Sequence, residues 1–385
     1  AESVGFSGNQ TILMPLGDMG GIEPGVRVIA GGSPLRVGVG HALLGRVLDG
    51  LGRPVDGRGP VDVNAWYPVQ ASPPKPLDRK VISEPLPVGV RCVDGLLTCG
   101  KGQRLGIFAG SGVGKSMLLG MMVRNTAAAV SVVALVGERG REVREFIDRE
   151  LGPDGLDRSC VVCATSDQPP LVRVKAAFVA TAIAEYFRDQ GLDVLFVMDS
   201  VTRFAMAQRE VGLASGEPPA TRGYTPSVFS TLPRLLERTG PAARGTITAF
   251  YTVLVDGDDF NEPISDAIRG TLDGHIVLSR EIAAQGLYPA VDVLASVSRS
   301  MPHVTTAGHQ RSAQVFRAVC STYRDAQDLI NIGAYAQGSN PGIDFAISVA
   351  DQVRAYLAQD VHERSTFEEA QRGLAEISGR AGCPF

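Results

Sequence analysis

The residues from Ala109 to Ser116 read Ala-Gly-Ser-Gly-Val-Gly-Lys-Ser, a spacing suited to binding phosphate. Glycines at 110, 112 and 114 let backbone N–H groups turn inward around phosphate oxygens without a Cβ in the way. At this spacing Lys115 reaches the β- and γ-phosphates of a nucleotide, and the Ser116 hydroxyl is a Mg²⁺ ligand. Ala109 replaces the first glycine of the usual pattern, and Ser111 and Val113 complete the loop. ATP and Mg²⁺ are the implied ligands. Two carboxylates have a claim on the same chemistry. Asp199 ends the apolar run Val194 to Met198, and the carboxyl end of a buried parallel strand is where such sheets place ligands. It is a candidate to hold Mg²⁺, directly or through water. Glu138 follows the run Val130 to Val136 in Gly-Glu-Arg-Gly-Arg-Glu. It either orients an attacking water or belongs to a solvated charge cluster capping a helix. Arg203 and Arg299 also sit near strand ends, where a guanidinium can meet charge on a transferring phosphoryl group. With 37 Lys and Arg in the chain, surface roles compete for both.

These residues need a parallel sheet to bring them to one edge. From about Val88 to Met301, strand-like runs alternate with helix-like ones, which predicts an α/β fold. The expected strands are Arg104 to Phe108, Val130 to Val136, Cys160 to Ala164, Val194 to Met198, Gly245 to Val253 and Val291 to Val297. A helix is expected from Lys115, adding its positive end to the anion site. Residues 1–65 are Gly- and Val-rich with short alternating runs, the mark of β structure and turns. Prolines crowd between Val61 and Pro87 as an extended linker. From Ser312 onward the pattern is helical. The predicted division is therefore a β-rich segment over 1–65, a nucleotide domain with its entry linker over 66–311, and a helical domain over 312–385.

Composition narrows the partners. The net charge of −4 provides no footprint for a polyanion, so nucleic acid is not an expected ligand. No apolar run approaches the ~20 residues of a membrane-spanning helix, and no signal-peptide layout precedes the first strand. Cys160 and Cys163 form a C-x-x-C, but on a strand residues three apart face opposite ways, so a shared metal is not expected. The five histidines show no metal-ligand spacing and read as ordinary polar residues.

Taken together, the loop from Ile107 to Ser116, Gly137 to Phe146, Asp199 to Arg203, Gly223 to Phe229 and Leu272 to Arg280 resemble the flagellar and type III protein export ATPases. The likeness runs through almost the whole chain, and Thr246 to Pro263 looks closer to the flagellar branch than to the virulence injectisome branch. The resemblance implies a RecA-like P-loop domain, an N-terminal β-barrel and a small C-terminal helical domain, as in rotary ATP synthase catalytic subunits. Because the family has more chain before the barrel, the barrel is expected to be incomplete and ring assembly weakened. By position, the resemblance makes Lys115 and Ser116 the phosphate and Mg²⁺ residues and Glu138 the catalytic carboxylate. It makes Arg139 an ordering residue, Asp199 the Mg²⁺ carboxylate and Arg203 a γ-phosphate contact. Tyr288 becomes the aromatic on adenine and Arg299 the finger reaching a neighbour's site. The Leu213 to Pro226 segment would face a central pore.

Implied partners are further copies in a homohexamer, a stator or regulator protein, a coiled-coil stalk protein, and export substrates with their chaperones. The implied location is cytoplasmic, peripheral to the export gate at the inner face of the cytoplasmic membrane. Competing readings are an RNA translocase like Rho, disfavoured by the acidic balance and the single Trp; a rotary synthase subunit; and a non-catalytic nucleotide-binding subunit, against which Glu138 argues.

Overall fold

The computed structural model describes residues 1–17, 20–23, 25–255 and 262–385. Part of the Thr246 to Pro263 run on which the branch distinction rests (256–261) lies outside them. In chain order the strands are β1 (Glu2–Ser7), β2 (Gln10–Met14), β3 (Arg36–Val39), β4 (Arg46–Asp49), β5 (Ala65–Pro68), β6 (Arg104–Ala109), β7 (Val130–Val136), β8 (Ser159–Ala164), β9 (Asp193–Asp199), β10 (Gly240–Pro241), β11 (Thr246–Leu254), β12 (Gly274–Leu278) and β13 (Val297–Ser298). The helices up to the middle of the chain are α1 (Arg91–Leu96), α2 (Lys115–Asn125), α3 (Gly140–Glu145), α4 (Gly152–Asp157), α5 (Pro170–Asp189), α6 (Val201–Ala214) and α7 (Pro226–Leu236). They are followed by α8 (Pro263–Thr271), α9 (Arg280–Ala284), α10 (Met301–Val304), α11 (Ala307–Asn331), α12 (Pro341–Leu357) and α13 (Phe367–Ser378). The chain divides into two compact units, one of Ala1–Val81, Gly102–Gly106 and Ala128–Leu272, the other of Ile82–Lys101, Ile107–Ala127 and Asp273–Phe385.

The first unit is built on parallel strands. β7 pairs in parallel with both β8 and β9, β9 with β11, and β8 with β4. Strands covered on both faces read as continuous apolar runs rather than alternating ones, and every residue of β7 is buried. α5 packs along them as a helix buried on nearly all sides, its small residues Ala176, Ala177, Ala180, Ala182 and Ala184 allowing close approach. Inside this core Arg238, 1% exposed, donates to both Glu185 oxygens at 2.9 and 2.5 Å and to the Val69 carbonyl at 2.6 Å. That carbonyl anchors the proline-rich linker to the core.

The β-rich N-terminal residues form short antiparallel pairs. Among the described residues β1–β2 form one antiparallel pair and β3–β5 another, as separate two-stranded sheets. β4 leaves them and extends the parallel sheet, with Arg46 opposite Cys160 and Asp49 opposite Cys163. Asp56 fixes this excursion: it accepts from Arg46 at 2.6 and 2.8 Å and from the Val47 N–H at 3.1 Å.

The second unit holds the end of β6, the loop after it, α2, the β12–β13 pair and the C-terminal helices. α11, α12 and α13 pack on one another and on α1. A Cβ on Gly373 would lie 2.8 Å from the Tyr356 ring, and one on Gly95 would overlap the Tyr356 hydroxyl. Tyr356 donates to the Ala370 carbonyl at 2.9 Å, so two glycines make room for one aromatic that joins α1, α12 and α13. His309 is buried, with Nε2 2.7 Å from the Gly95 carbonyl and Nδ1 3.2 Å from the Gln371 amide nitrogen. The helical region opens at α11, with the Thr306 hydroxyl accepting from the His309 N–H.

One expected strand does not form. Of the run Val291 to Val297, Val297 enters a strand, β13 antiparallel to β12, and Val291 makes an isolated antiparallel bridge to Leu278. The Asp292 carboxylate accepts from the Leu294 and Ala295 N–H groups at 2.9 and 3.0 Å, and Ser296 Oγ donates to the Asp292 carbonyl at 2.6 Å. These local bonds take the backbone groups that a ladder would need. All six thiols are free, and burial pushes Cys160 up to about 12 and Cys163 up to about 11.

Candidate active site

In the second unit, β6 delivers the chain into the loop and α2 begins at Lys115, directly after Gly114. Gly112 and Gly114 have φ of 80° and 85°, the left-handed region that favours glycine. The N-cap of α2 is Gly114, which has no side chain to occupy the helix start. Lys115 is half-buried and Ser116 exposed at that turn. Tyr288 lies across the loop, its ring 3.2 Å from where a Cβ on Gly114 would stand. The Tyr288–Pro289 bond is cis. A residue to which the sequence reading gave no role also reaches the loop: a Cβ on Gly110 would lie 2.6 Å from Arg280 Nε. Arg299 is exposed just beyond β13, its backbone N–H bonded to the Asp273 carbonyl at 3.1 Å.

The first unit holds the carboxylates. Leu135 of β7 stands opposite Asp199 of β9, so Glu138 and Asp199 leave neighbouring strands at the same carboxyl edge. Asp199 is 3% exposed, and the Thr252 hydroxyl donates to it at 2.7 Å. Thr252 is a site residue that sequence reasoning missed; its one signal is a hydroxyl inside the otherwise apolar end of β11. The Asp199–Ser200 bond is cis, and Ser200 Oγ caps α6 by accepting from the Arg203 N–H at 3.2 Å. Gly137, φ 74°, carries the chain past Arg203, whose Cβ would be 2.8 Å from any Cβ at 137. The Gly137 N–H donates to Ala164 at 2.7 Å and the Ser166 N–H to the Glu138 carbonyl at 3.0 Å, fixing the half-buried Glu138 between β7 and β8. Arg203 Nε is buried and, among the described residues, has no hydrogen-bond partner. A donor in that state suits an anionic ligand. Arg139 faces solvent and caps α3, its N–H reaching Glu142 Oε2 at 3.4 Å and its guanidinium Glu142 Oε1 at 3.6 Å. Arg139 with Glu142 thus caps that helix.

A glycine loop running into a lysine at a helix start suits phosphate, and carboxylates at the ends of parallel strands suit a metal ion or a water. The model of the ATP synthase alpha/beta family nucleotide-binding domain matches residues 89–298. The chain belongs to that family. This family member also matches the C-terminal domain model of the type III secretion ATPase EscN over residues 305–376. It is 57% identical over 379 residues to the flagellum-specific ATP synthase of Bacillus subtilis, covering 98% of this chain and 86% of that one. To the type 3 secretion system ATPase of Xanthomonas euvesicatoria it is 54% identical, covering 99% and 86%. Among solved structures, it superposes on the assembled ATPase EscN of the enteropathogenic E. coli type III secretion system with a TM-score of 0.93 at 47% identity, covering 98% and 91%. EscN in complex with its central stalk EscO gives a TM-score of 0.90 at 48% identity, covering 95% and 89%. As a member of the family with these relatives, the chain is a P-loop ATP-hydrolysing enzyme of the flagellar and type III export kind. No helix among the described residues is long and apolar enough to cross a membrane.

Proposed function

We propose that the chain hydrolyses MgATP as one subunit of a homohexameric ring that drives flagellar-type protein export. The observation that carries this is the exposed Arg299, a guanidinium at the end of β13 and available to a neighbouring copy. In this reading the loop from Ala109 to Ser116 binds the phosphates through its N–H groups and Lys115, while Tyr288 takes the adenine. Glu138 orients the attacking water. Arg203 and the neighbour's Arg299 meet charge on the γ-phosphate oxygens, and Arg139 orders the loop around Glu138. The oxygen donors Ser116 and Asp199 fit Mg²⁺, which brings neutralisation of phosphate charge when bound. The pairing of EscN with a stalk supports a stalk protein as partner. A stator or regulator, export substrates and chaperones, and a position at the inner face of the cytoplasmic membrane complete the reading. The flagellar assignment over the injectisome one draws support from the 57% against 54% identities.

The test is steady-state ATP hydrolysis against protein concentration, for the chain and for Arg299→Ala. Activity rising faster than linearly, and falling by about 10³-fold or more in the variant, is expected of a finger acting between subunits. Linear activity indifferent to Arg299 would reduce the chain to a self-contained ATPase.

A further inference from the structure

We infer that Arg280 is a positioning residue for the phosphate loop, and that the segment from Arg280 to Tyr288 ties the loop to the end of α12. The inference rests on the ATPase reading and adds a control on nucleotide affinity to it. The two glycines near the ends of the loop each meet one end of this segment. A Cβ on Gly110 would lie 2.6 Å from Arg280 Nε and 2.7 Å from its terminal nitrogen, so the guanidinium packs flat against the loop backbone. The Tyr288 ring takes the same place at Gly114, at 3.2 and 3.3 Å.

Gly110 differs from Gly112 and Gly114 in a telling way. Its φ lies outside the left-handed region, so backbone conformation does not require glycine there. What the missing side chain makes room for is Arg280. Between its two contacts the segment is helical, with Ser279 Oγ capping α9 by accepting from the Ile282 N–H. It is also fastened from outside. Arg354 of α12 donates to the Gln285 carbonyl at 3.0 Å, and the Gln359 N–H, just past α12, donates to the Tyr288 carbonyl at 2.9 Å. A planar, permanently charged group braced in this way holds the loop in the shape that presents its N–H groups to phosphate. Its loss therefore acts on affinity before it acts on turnover.

The experiment is binding of a fluorescent ADP analogue together with KM and kcat for MgATP, on the full chain. Arg280→Ala is expected to raise Kd and KM about tenfold while kcat stays within about threefold. Arg280→Lys keeps the charge but not the flat fork, and is expected to raise Kd at least about threefold. Gly110→Ala displaces the guanidinium and should resemble Arg280→Ala. The double variant should be no worse than the worse single one, because both remove one contact. Unchanged Kd and KM in both Arg280 variants, or fully additive losses in the double variant, would overturn the positioning role. Should Arg280→Ala fail to fold, Arg280→Lys and Gly110→Ala decide. Arg354→Ala probes the tie and should raise KM about twofold; no change there overturns the link to α12. Failure of the unsubstituted chain to bind the analogue would instead remove the ATPase reading on which the inference stands.

Discussion

At the scale of single residues, Thr252 serves Asp199. The Thr252 hydroxyl donates to it at 2.7 Å inside a buried strand end. Thr252→Val keeps the shape and removes that donor from a carboxylate that is 3% exposed. The expected outcome is a loss of about 1–3 kcal/mol in urea unfolding together with a higher Mg²⁺ requirement for hydrolysis. Wild-type values of both would show that Thr252 does not orient Asp199. Gly137→Ala is harsher, since it asks a Cβ to adopt φ 74° and to come within 2.8 Å of Arg203 Cβ. Hydrolysis should fall at least about tenfold, checked by the same steady-state assay. The loop, Glu138 and Asp199 were legible in sequence because each is defined by its own strand and its spacing along the chain. Thr252 and Arg280 were not, because their neighbours are chosen by strand pairing and packing, which leave no local mark.

At the scale of elements, the same distinction separates what sequence patterns predict from what they miss. β7, β9 and β11 are long apolar runs with no competing local bonds, and they form as read. The run from Val291 carries Asp292 and Ser296, which draw the backbone into turns. β4 is too short for its pattern to say which sheet it joins, and Asp56 settles it through Arg46 and Val47. The helical cluster offers a sharper test. Gly95 in α1 is closed in by the Tyr356 hydroxyl, with Leu374 at 3.2 Å from its would-be Cβ. Gly95→Ala improves helix propensity and still should destabilise the chain by about 1–3 kcal/mol, read as a lower urea midpoint. A midpoint raised by the substitution would mean that the cluster has slack around Tyr356.

At the scale of the whole molecule, Asp94 sets a pH dependence. Its carboxylate is fully buried and accepts from the Val88 and Gly89 N–H groups, both at 2.8 Å. Burial outweighs those bonds and raises its pKa to about 7 from 3.8. Between those values the native chain keeps a proton that the unfolded chain has released, so stability falls as pH rises from about 4 to about 7, by up to ~1.4 kcal/mol per unit. Asp94→Asn should flatten the slope between pH 5 and pH 7 in urea titrations; an unaltered slope would place the dependence elsewhere.

The buried thiols have a practical consequence. Thiolates, not thiols, react with maleimides. Burial pushes Cys92, Cys160 and Cys320 up to about 12 and Cys163 up to about 11, with Cys99 also raised. Cys383, half-buried after the last helix, offers an attachment point at the end of the helical region. A single dye can thus be placed at the end of the helical region of the unsubstituted chain, where energy transfer to the fluorescent nucleotide would follow each binding event directly.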